Sequence, residues 1–200
     1  MADDAPRQAD RVPDELVTRA RKGDRDAFAE LVGAYHAKLV SLALGMTGNS
    51  HVAEDIVQQA WVKAFVSLGR LRQAGAFYGW LVRIVLNLVK NRFRSERLRP
   101  SAQTDLDDSG LLDLGDVAAQ GGAGGGLQPR LRVELADLEA ALDAAICQLP
   151  MSYRAPLVMF CVDGMPHAEI ADVLGIPEQT VRWRVHQARR MLRDTLKDHL

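Results

Sequence analysis

The stretch 149–192 constrains this chain most, because within it residues 167–186 carry the pattern of a helix-turn-helix. A short helix over His167–Leu174 places Ile170, Ala171 and Leu174 on one side, and Gly175 followed by Ile176-Pro177 supplies a tight turn and a helix start. From Val181 the apolar positions run Val181, Val185, Ala188 and Leu192, spacings of four, three and four that make one buried stripe. Off that stripe lie Glu178, Gln179, Thr180, Arg182, Arg184, Gln187, Arg189, Arg190 and Arg193, and between Gln179 and Arg193 there are five arginines and no acid. A helix laid in the major groove needs this division: its N-terminal residues reach base edges while later arginines meet phosphates. An amphipathic surface helix with solvated arginines shows the same charge pattern, but does not need the short helix and glycine turn before it.

Charge is sorted along the chain, although the total is only −1. Residues 1–100 hold 16 Lys/Arg against 11 Asp/Glu, residues 101–150 hold 2 against 9, and residues 151–200 hold 7 against 6. The most basic part is 70–99, with eight basic residues and the single acid Glu96. Contact with nucleic acid requires local positive charge, which a near-neutral total permits. Cys147 and Cys161 belong to no Cys/His cluster, so zinc is not expected and a reduced, cytosolic setting with both thiols in apolar helical packing is. The start is polar, without the apolar core of a signal peptide, and no apolar run approaches the roughly 20 residues of a membrane span. The five histidines are scattered.

The segment pattern is all-α, with no period-two runs. Residues 1–13 are expected to be disordered. A first helix starts near Asp14 and ends at Gly23; Asp24 caps a second, with Ala27, Phe28, Leu31, Val32, Tyr35, Leu39, Leu42 and Ala43 at helical period, and 45–50 is a break. Ser50 is expected to cap a third helix with core positions Ile56, Val57, Ala60, Trp61, Ala64 and Leu68, which leaves Asp55, Gln58, Gln59, Val62 and Val66 on another face, part polar and part apolar. Residues 69–75 form a basic loop. The helix that follows, to about Arg97, has Trp80 or Leu81, Ile84 and Leu88 as its core side, with Arg83, Asn87, Lys90 and Arg94 opposite. Aromatics beside a basic helix suit single-stranded bases, where stacking contributes about 1–3 kcal/mol per base. Phe77 and Tyr78 are candidates for that role, and Trp80 is expected in the core.

Residues 101–128 have five aspartates, no basic residue and the run Gly121-Gly122-Ala123-Gly124-Gly125-Gly126, the composition of a flexible linker. Such a coil has a root-mean-square span of roughly 30 Å and about 95 Å at full stretch, so two helical modules could sit on separate sites. Beyond it, Leu131, Leu135, Leu138, Leu142 and Ile146 form a helical stripe, and a helix over 151–162 contains Pro156, expected to kink it or mark its true start. The glycine run lacks the Lys-Ser/Thr of a phosphate loop, and Glu54-Asp55 are helix neighbours that do not face each other. No catalytic constellation, cofactor site or metal site is expected, and a helical enzyme is disfavoured.

These motifs resemble the extracytoplasmic-function (ECF) sigma subunits of bacterial RNA polymerase, over about 14–99 and 135–196. Ala53-Glu54-Asp55-Ile56-Val57-Gln58-Gln59-Ala60-Trp61 is similar to the helix that docks on the polymerase β′ clamp. Ala76-Phe77-Tyr78-Gly79-Trp80-Leu81-Val82-Arg83-Ile84, with Asn87, is similar to the segment that melts and reads the minus-ten element, and looks closest to the envelope-stress branch. Leu149-Pro150, Ala168-Glu169-Ile170-Ala171, Gly175-Ile176-Pro177 and Thr180-Val181-Arg182 are similar to the domain that reads the minus-35 element.

The resemblance implies a sigma-2 domain over 14–100, the linker over 101–128, and a sigma-4 domain over 129–200. It implies polymerase contacts from Asp55, Gln58, Gln59, Val62 and Val66. The loop 72–77, with Arg72, Gln73 and Phe77, would capture a flipped base of the non-template strand, Tyr78 belongs to the same minus-ten site, and Arg83, Asn87, Lys90 and Arg94 would hold the strand. Glu178, Gln179, Thr180, Arg182, Trp183, Arg184, His186, Gln187, Arg189 and Arg190 would serve the minus-35 duplex. Gln59, Gln187 and Trp183 depart from residues common in the family. Implied partners are core polymerase (β′ clamp and β flap), promoter DNA and an anti-sigma factor that could hold the protein at the inner membrane; neither membrane insertion nor a small-molecule substrate is implied. The competing reading is an autonomous helix-turn-helix regulator of duplex operators, in which the 55–68 face would be dispensable.

Overall fold

The computed structural model describes residues 12–98 and 129–197, with side chains over 12–95 and 136–197. The segment expected to be a linker and residues 1–11 of the N-terminal stretch expected to be disordered lie outside the described residues. Among these the order is α1 (Asp14–Arg21), α2 (Arg25–Thr47), α3 (Ser50–Ser67), two short 3-10 turns (Leu68–Arg70 and Ala74–Ala76), α4 (Phe77–Leu98), α5 (Pro129–Gln148), α6 (Met151–Cys161), α7 (His167–Leu174) and α8 (Glu178–Thr195), with no strand. The basic loop expected at 69–75 is thus tightened by 3-10 turns at both ends.

The N-terminal unit is built around α2. Asp24 starts this helix by accepting from the Ala27 N–H at 3.0 Å, which satisfies one of the orphan donors of the first turn. Arg19, from the end of α1, holds the same carboxylate at 2.7 Å, and these two donors, the backbone first, hold the Asp24 carboxyl below its ordinary value. From there Ala27, Leu31, Tyr35, Leu39, Leu42, Ala43 and Met46 are buried against α1, α3 and α4. By length and composition alone α2 could cross a membrane; its apolar side is instead the core of the bundle. The break expected at 45–50 is shorter than its glycines suggest. The helix runs through Gly45 to Thr47 and stops at Gly48, whose φ of 70° closes a left-handed cap.

The third helix begins one residue earlier than expected. Its cap is Asn49, whose side chain accepts from the Val52 N–H at 3.0 Å, while Ser50 is already the first helical residue. Both residue types can cap; the extended backbone of Asn49, just after the left-handed Gly48, decides between them.

In the C-terminal unit α6, α7 and α8 pack around Met159, Met165, Ile170, Val173, Val181, Val185 and Ala188. Val173, where Leu174 was expected, completes the buried side of α7. Gly175 makes the turn with φ 66°, a conformation that side chains with a Cβ rarely adopt. Pro156 lies inside α6, which starts earlier, at Met151; proline costs Ser152 its i+4 donor without ending the helix. Of the expected α5 stripe, Leu138 and Leu142 are exposed, and Ala145 and Leu149 are buried in their place. Side chains at 131 and 135 lie outside the described residues.

The two units are packed together. Helix α6 lies on the end of α2, and α7 lies across the start of α4. Gly45 makes the first contact feasible, because a Cβ there would stand 2.8 Å from Cγ1 of Val158. Arg154, buried in α6, donates to the Met46 carbonyl at 2.7 Å and to the Leu149 carbonyl at 3.0 Å. A cation at the carbonyl end of α2 is favourably placed in the helix dipole.

The cap geometry gives a direct test. Asn49→Ala is expected to lower stability by about 1 kcal/mol in denaturant unfolding, and Ser50→Ala to stay within about 0.5 kcal/mol.

Candidate nucleic-acid interface

Three exposed faces carry the residues singled out from the sequence. The first lies on α3. Because Ala53, Ile56, Val57, Ala60, Trp61 and Ala64 are buried, helical geometry turns Asp55, Gln58, Gln59 and Val62 outward, and these line a shallow groove of about 370 Å³. Val62, Phe65 and Val66 are 66%, 53% and 80% exposed. Phe65 was missed in the sequence; its signal is the i, i+3, i+4 spacing with Val62 and Val66, a second apolar stripe beside the Trp61 one. Its ring meets Phe28 edge-on at 5.1 Å.

The second face is the start of α4 with the preceding turns. Burial reverses the expected roles of its aromatics. Phe77 is 2% and Tyr78 8% exposed; Tyr78 stacks on Tyr35 at 5.0 Å and Phe77 lies 5.9 Å from the same ring. Both are core residues here. Trp80, expected in the core, is half-buried and lines an open cleft of about 760 Å³ with Arg70, Arg72, Gln73 and Arg83. The exchange follows from helical phase: the buried side of α4 is Leu81, Val82, Val85, Leu86, Leu88 and Val89, which places 77 and 78 inward and 80 at the rim. Ile84, expected on that side, is half-buried. Arg83, Asn87, Lys90 and Arg94 are exposed, on one line spaced four, three and four, roughly 16 Å long at 1.5 Å per residue.

The far wall of the cleft belongs to the other unit, with Pro166, Ala168, Glu169 and Asp172 of α7 and its approach. Arg83 reaches across, donating from Nε to the Val173 carbonyl at 3.2 Å and from an Nη to the Asp172 carbonyl. Beneath it, the Tyr78 hydroxyl donates to Asp163 and Lys38 Nζ stands 3.7 Å from the same carboxylate. Burial, and then the carboxylate, push the Tyr78 phenol far above its usual value, so it remains a donor. Burial also raises the Asp163 carboxyl, against the opposing pull of Tyr78 and Lys38.

The third face is α8. Glu178, in its first turn, holds Arg182 at 2.7 Å. Trp183 is 56% exposed and packs on Tyr153 of α6 at 5.9 Å. Gln179, His186, Arg189 and Arg190 are exposed, while Thr180, Arg184 and Gln187 are half-buried. The Arg189 guanidinium lies 5.2 Å from the Phe160 ring centre and 3.5 Å from Cys161 Sγ. Tyr153 and Phe160, which set the directions of Trp183 and Arg189, left no separate mark in the sequence because both fit a core pattern.

Comparison with known proteins agrees with this geometry. Residues 31–99 match Sigma-70 region 2, and residues 139–192 match Sigma-70, region 4. The chain is 35% identical over 185 residues to the ECF RNA polymerase sigma factor SigW of Bacillus subtilis, covering 91% of this chain and 95% of that protein. It belongs to the ECF sigma factors of bacterial RNA polymerase. The RNA polymerase sigma-H factor of Pseudomonas aeruginosa is 32% identical, over 92% of this chain and 93% of its own. Among solved structures, CnrH in complex with the cytosolic domain of CnrY has the same fold, with TM-score 0.66, 23% identity, and coverage of 92% and 97%. The sigma factor RpoE of Bartonella quintana, in complex with the anti-sigma factor NepR, has TM-score 0.61, 20% identity, and coverage of 85% and 96%. As a sigma factor the chain is a transcription initiation factor that works in the cytoplasm with core RNA polymerase on promoter DNA, and the reading as an autonomous operator-binding regulator is not favoured.

The cysteines of this sigma factor differ from each other, where equal burial was expected. Cys161 is exposed and Cys147 half-buried, with burial raising the Cys147 thiol. Only the thiolate reacts with a disulfide reagent, so Cys161 is expected to react at least about tenfold faster than Cys147; the Cys161→Ser and Cys147→Ser chains assign the two phases.

Proposed function

We propose that the three faces divide promoter recognition between them. The α3 face (Asp55, Gln58, Gln59, Val62 and Val66, with Phe65 added) docks on the β′ clamp. Support comes from its composition: an apolar ridge on an otherwise well-buried helix, flanked by polar side chains, is the surface of a protein contact. Gln59 and Gln58 hydrogen-bond at that contact without requiring a charged partner.

Arg72 and Gln73 at the lip of the cleft, with Trp80 as the ring within reach, capture a base of the opened minus-ten strand. Arg83, Asn87, Lys90 and Arg94 hold its backbone. The observation that carries this reading is their single exposed line along α4 beside an open cleft edged by Trp80, since a phosphate track next to a stacking ring is what a single strand needs. Phe77 and Tyr78 support the site from beneath and do not touch the base.

On α8, Gln179, Thr180, Arg182, Trp183 and His186 face the minus-35 duplex, Arg184, Arg189 and Arg190 meet phosphates, and Gln187 adds a neutral contact. Glu178 orients Arg182. The β flap is the polymerase element that holds this unit. Chemistry resides in the polymerase, and this chain has no catalytic activity of its own. An anti-sigma factor holds it inactive, as NepR and CnrY are bound to the neighbours of like fold, and a membrane-anchored inhibitor would keep it at the inner membrane.

Two variants test the division. Val62→Asp is expected to weaken core-polymerase binding at least about tenfold with an unchanged helical spectrum, as a charge in a contact core does. Lys90→Ala with Arg94→Ala is expected to leave polymerase binding intact while lowering the salt slope of non-template-strand binding by roughly 1.4, about 0.7 per lost phosphate contact. Undiminished polymerase binding by Val62→Asp would overturn the docking assignment.

A further inference from the structure

We propose that Trp183 is a specificity-determining residue, its indole lying against the 5-methyl group of one thymine in the major groove of the minus-35 duplex, and that Tyr153 is the positioning residue that holds the ring for this contact. The inference rests on the proposed role of α8 and deepens it to a single base.

Position comes first. Val181, Val185 and Ala188 are the buried side of α8. Directly across the helix run Gln179, Trp183, His186 and Arg190, all exposed, with spacings of four, three and four. A helix that enters the major groove turns the line opposite its core to the groove floor, where base edges lie, and its flanks to the phosphates. Trp183 is therefore in the middle of the line that reaches bases. Its neighbour Arg182 is drawn toward the flank, because Glu178 accepts from its Nε at 3.0 Å and from an Nη at 2.7 Å.

Chemistry then selects the base. An indole offers one donor, no acceptor and a broad apolar face. Set against an amino group or an acceptor of a base edge, that face strips water without replacing its hydrogen bonds, which is unfavourable. Thymine alone of the four bases puts a methyl group into the major groove, and a methyl gains from the same burial.

The ring is also held in place. The Tyr153 ring lies 5.9 Å from it, tilted by 52°, and covers one side of an indole that is otherwise 56% exposed. Tyr153 itself packs on the core in the first turn of α6, its N–H donating to the Pro150 carbonyl at 2.9 Å. An aromatic side chain fixed on such a base loses little freedom on binding, so the methyl contact is preorganised.

Uracil differs from thymine by that methyl group alone, so the decisive change is made in the DNA and leaves the protein fold untouched. The full chain with core polymerase selects a promoter duplex from a random pool. Each thymine of its minus-35 element, on either strand, is then replaced in turn by deoxyuridine, and binding of the fluorescent duplexes is compared. The unmodified holoenzyme is expected to lose about fourfold at one such thymine, the value of one buried methyl group. Holoenzyme carrying Trp183→Ala is expected to bind the thymine and uracil duplexes equally. Tyr153→Ala is expected to shrink the ratio below about twofold, and Tyr153→Phe to restore it, since a contact group left unheld loses its aim. A structural role of Tyr153 would weaken both duplexes alike and leave the ratio unchanged, which would overturn its positioning role. An element in which no uracil replacement weakens binding, or a ratio that survives Trp183→Ala, would overturn the thymine contact. Equal binding of a duplex whose minus-35 element is scrambled would overturn the assignment of α8 itself.

Discussion

The molecule depends on the two-sidedness of α4. One side, Leu81, Val82, Val85, Leu86 and Val89, is sealed in the core, and burial of that many large apolar side chains, each contributing about 1.5–3 kcal/mol, fixes the rotation of the helix. Every assignment on the other side follows from that rotation. It places Arg83, Asn87, Lys90 and Arg94 in a line on the exposed edge, brings Trp80 to the rim of the cleft, and draws Phe77 and Tyr78 under it. A slip of one residue toward the C-terminus would bury Arg83 and Lys90.

That constraint explains why the burial of the aromatics differs from the sequence expectation. Phe77, Tyr78 and Trp80 are close neighbours of similar character, and a period of 3.6 residues leaves the phase open at a helix start. Only the partner ring decides it: Tyr35, buried in α2, stacks on Tyr78 and tilts against Phe77. The helix-turn-helix, in contrast, was legible in detail, because Gly175, Pro177 and the Val181, Val185, Ala188 stripe each constrain the backbone locally. So was the face of α3, whose small and apolar core positions leave Gln58 and Val62 nowhere else to point. The expected α5 stripe failed for the opposite reason: Leu138 and Leu142 have the right spacing but are exposed, and the contact with the core is made nearer the end of α5, through Ala145 and Leu149. Contacts between units left no trace in local pattern. Gly45 read as a helix break because its reason for being glycine, Val158, is more than a hundred positions away.

The packed arrangement joins the two sites. Residues that read as independent modules share Arg83, Asp163 and Arg154 across one interface, which leaves the exposed side of α3 and Trp183 of α8 uncovered.

On the proposed assignment, the α4 edge grips the opened minus-ten strand in the company of core polymerase. Permanganate reactivity of thymines in the minus-ten region of a duplex promoter measures this directly. Reactive thymines are expected with polymerase and this chain together, none with either alone, and a loss of reactivity is expected when Arg83 and Asn87 are both changed to alanine while polymerase binding persists. Full reactivity in that double variant would mean that the strand is held elsewhere than on α4.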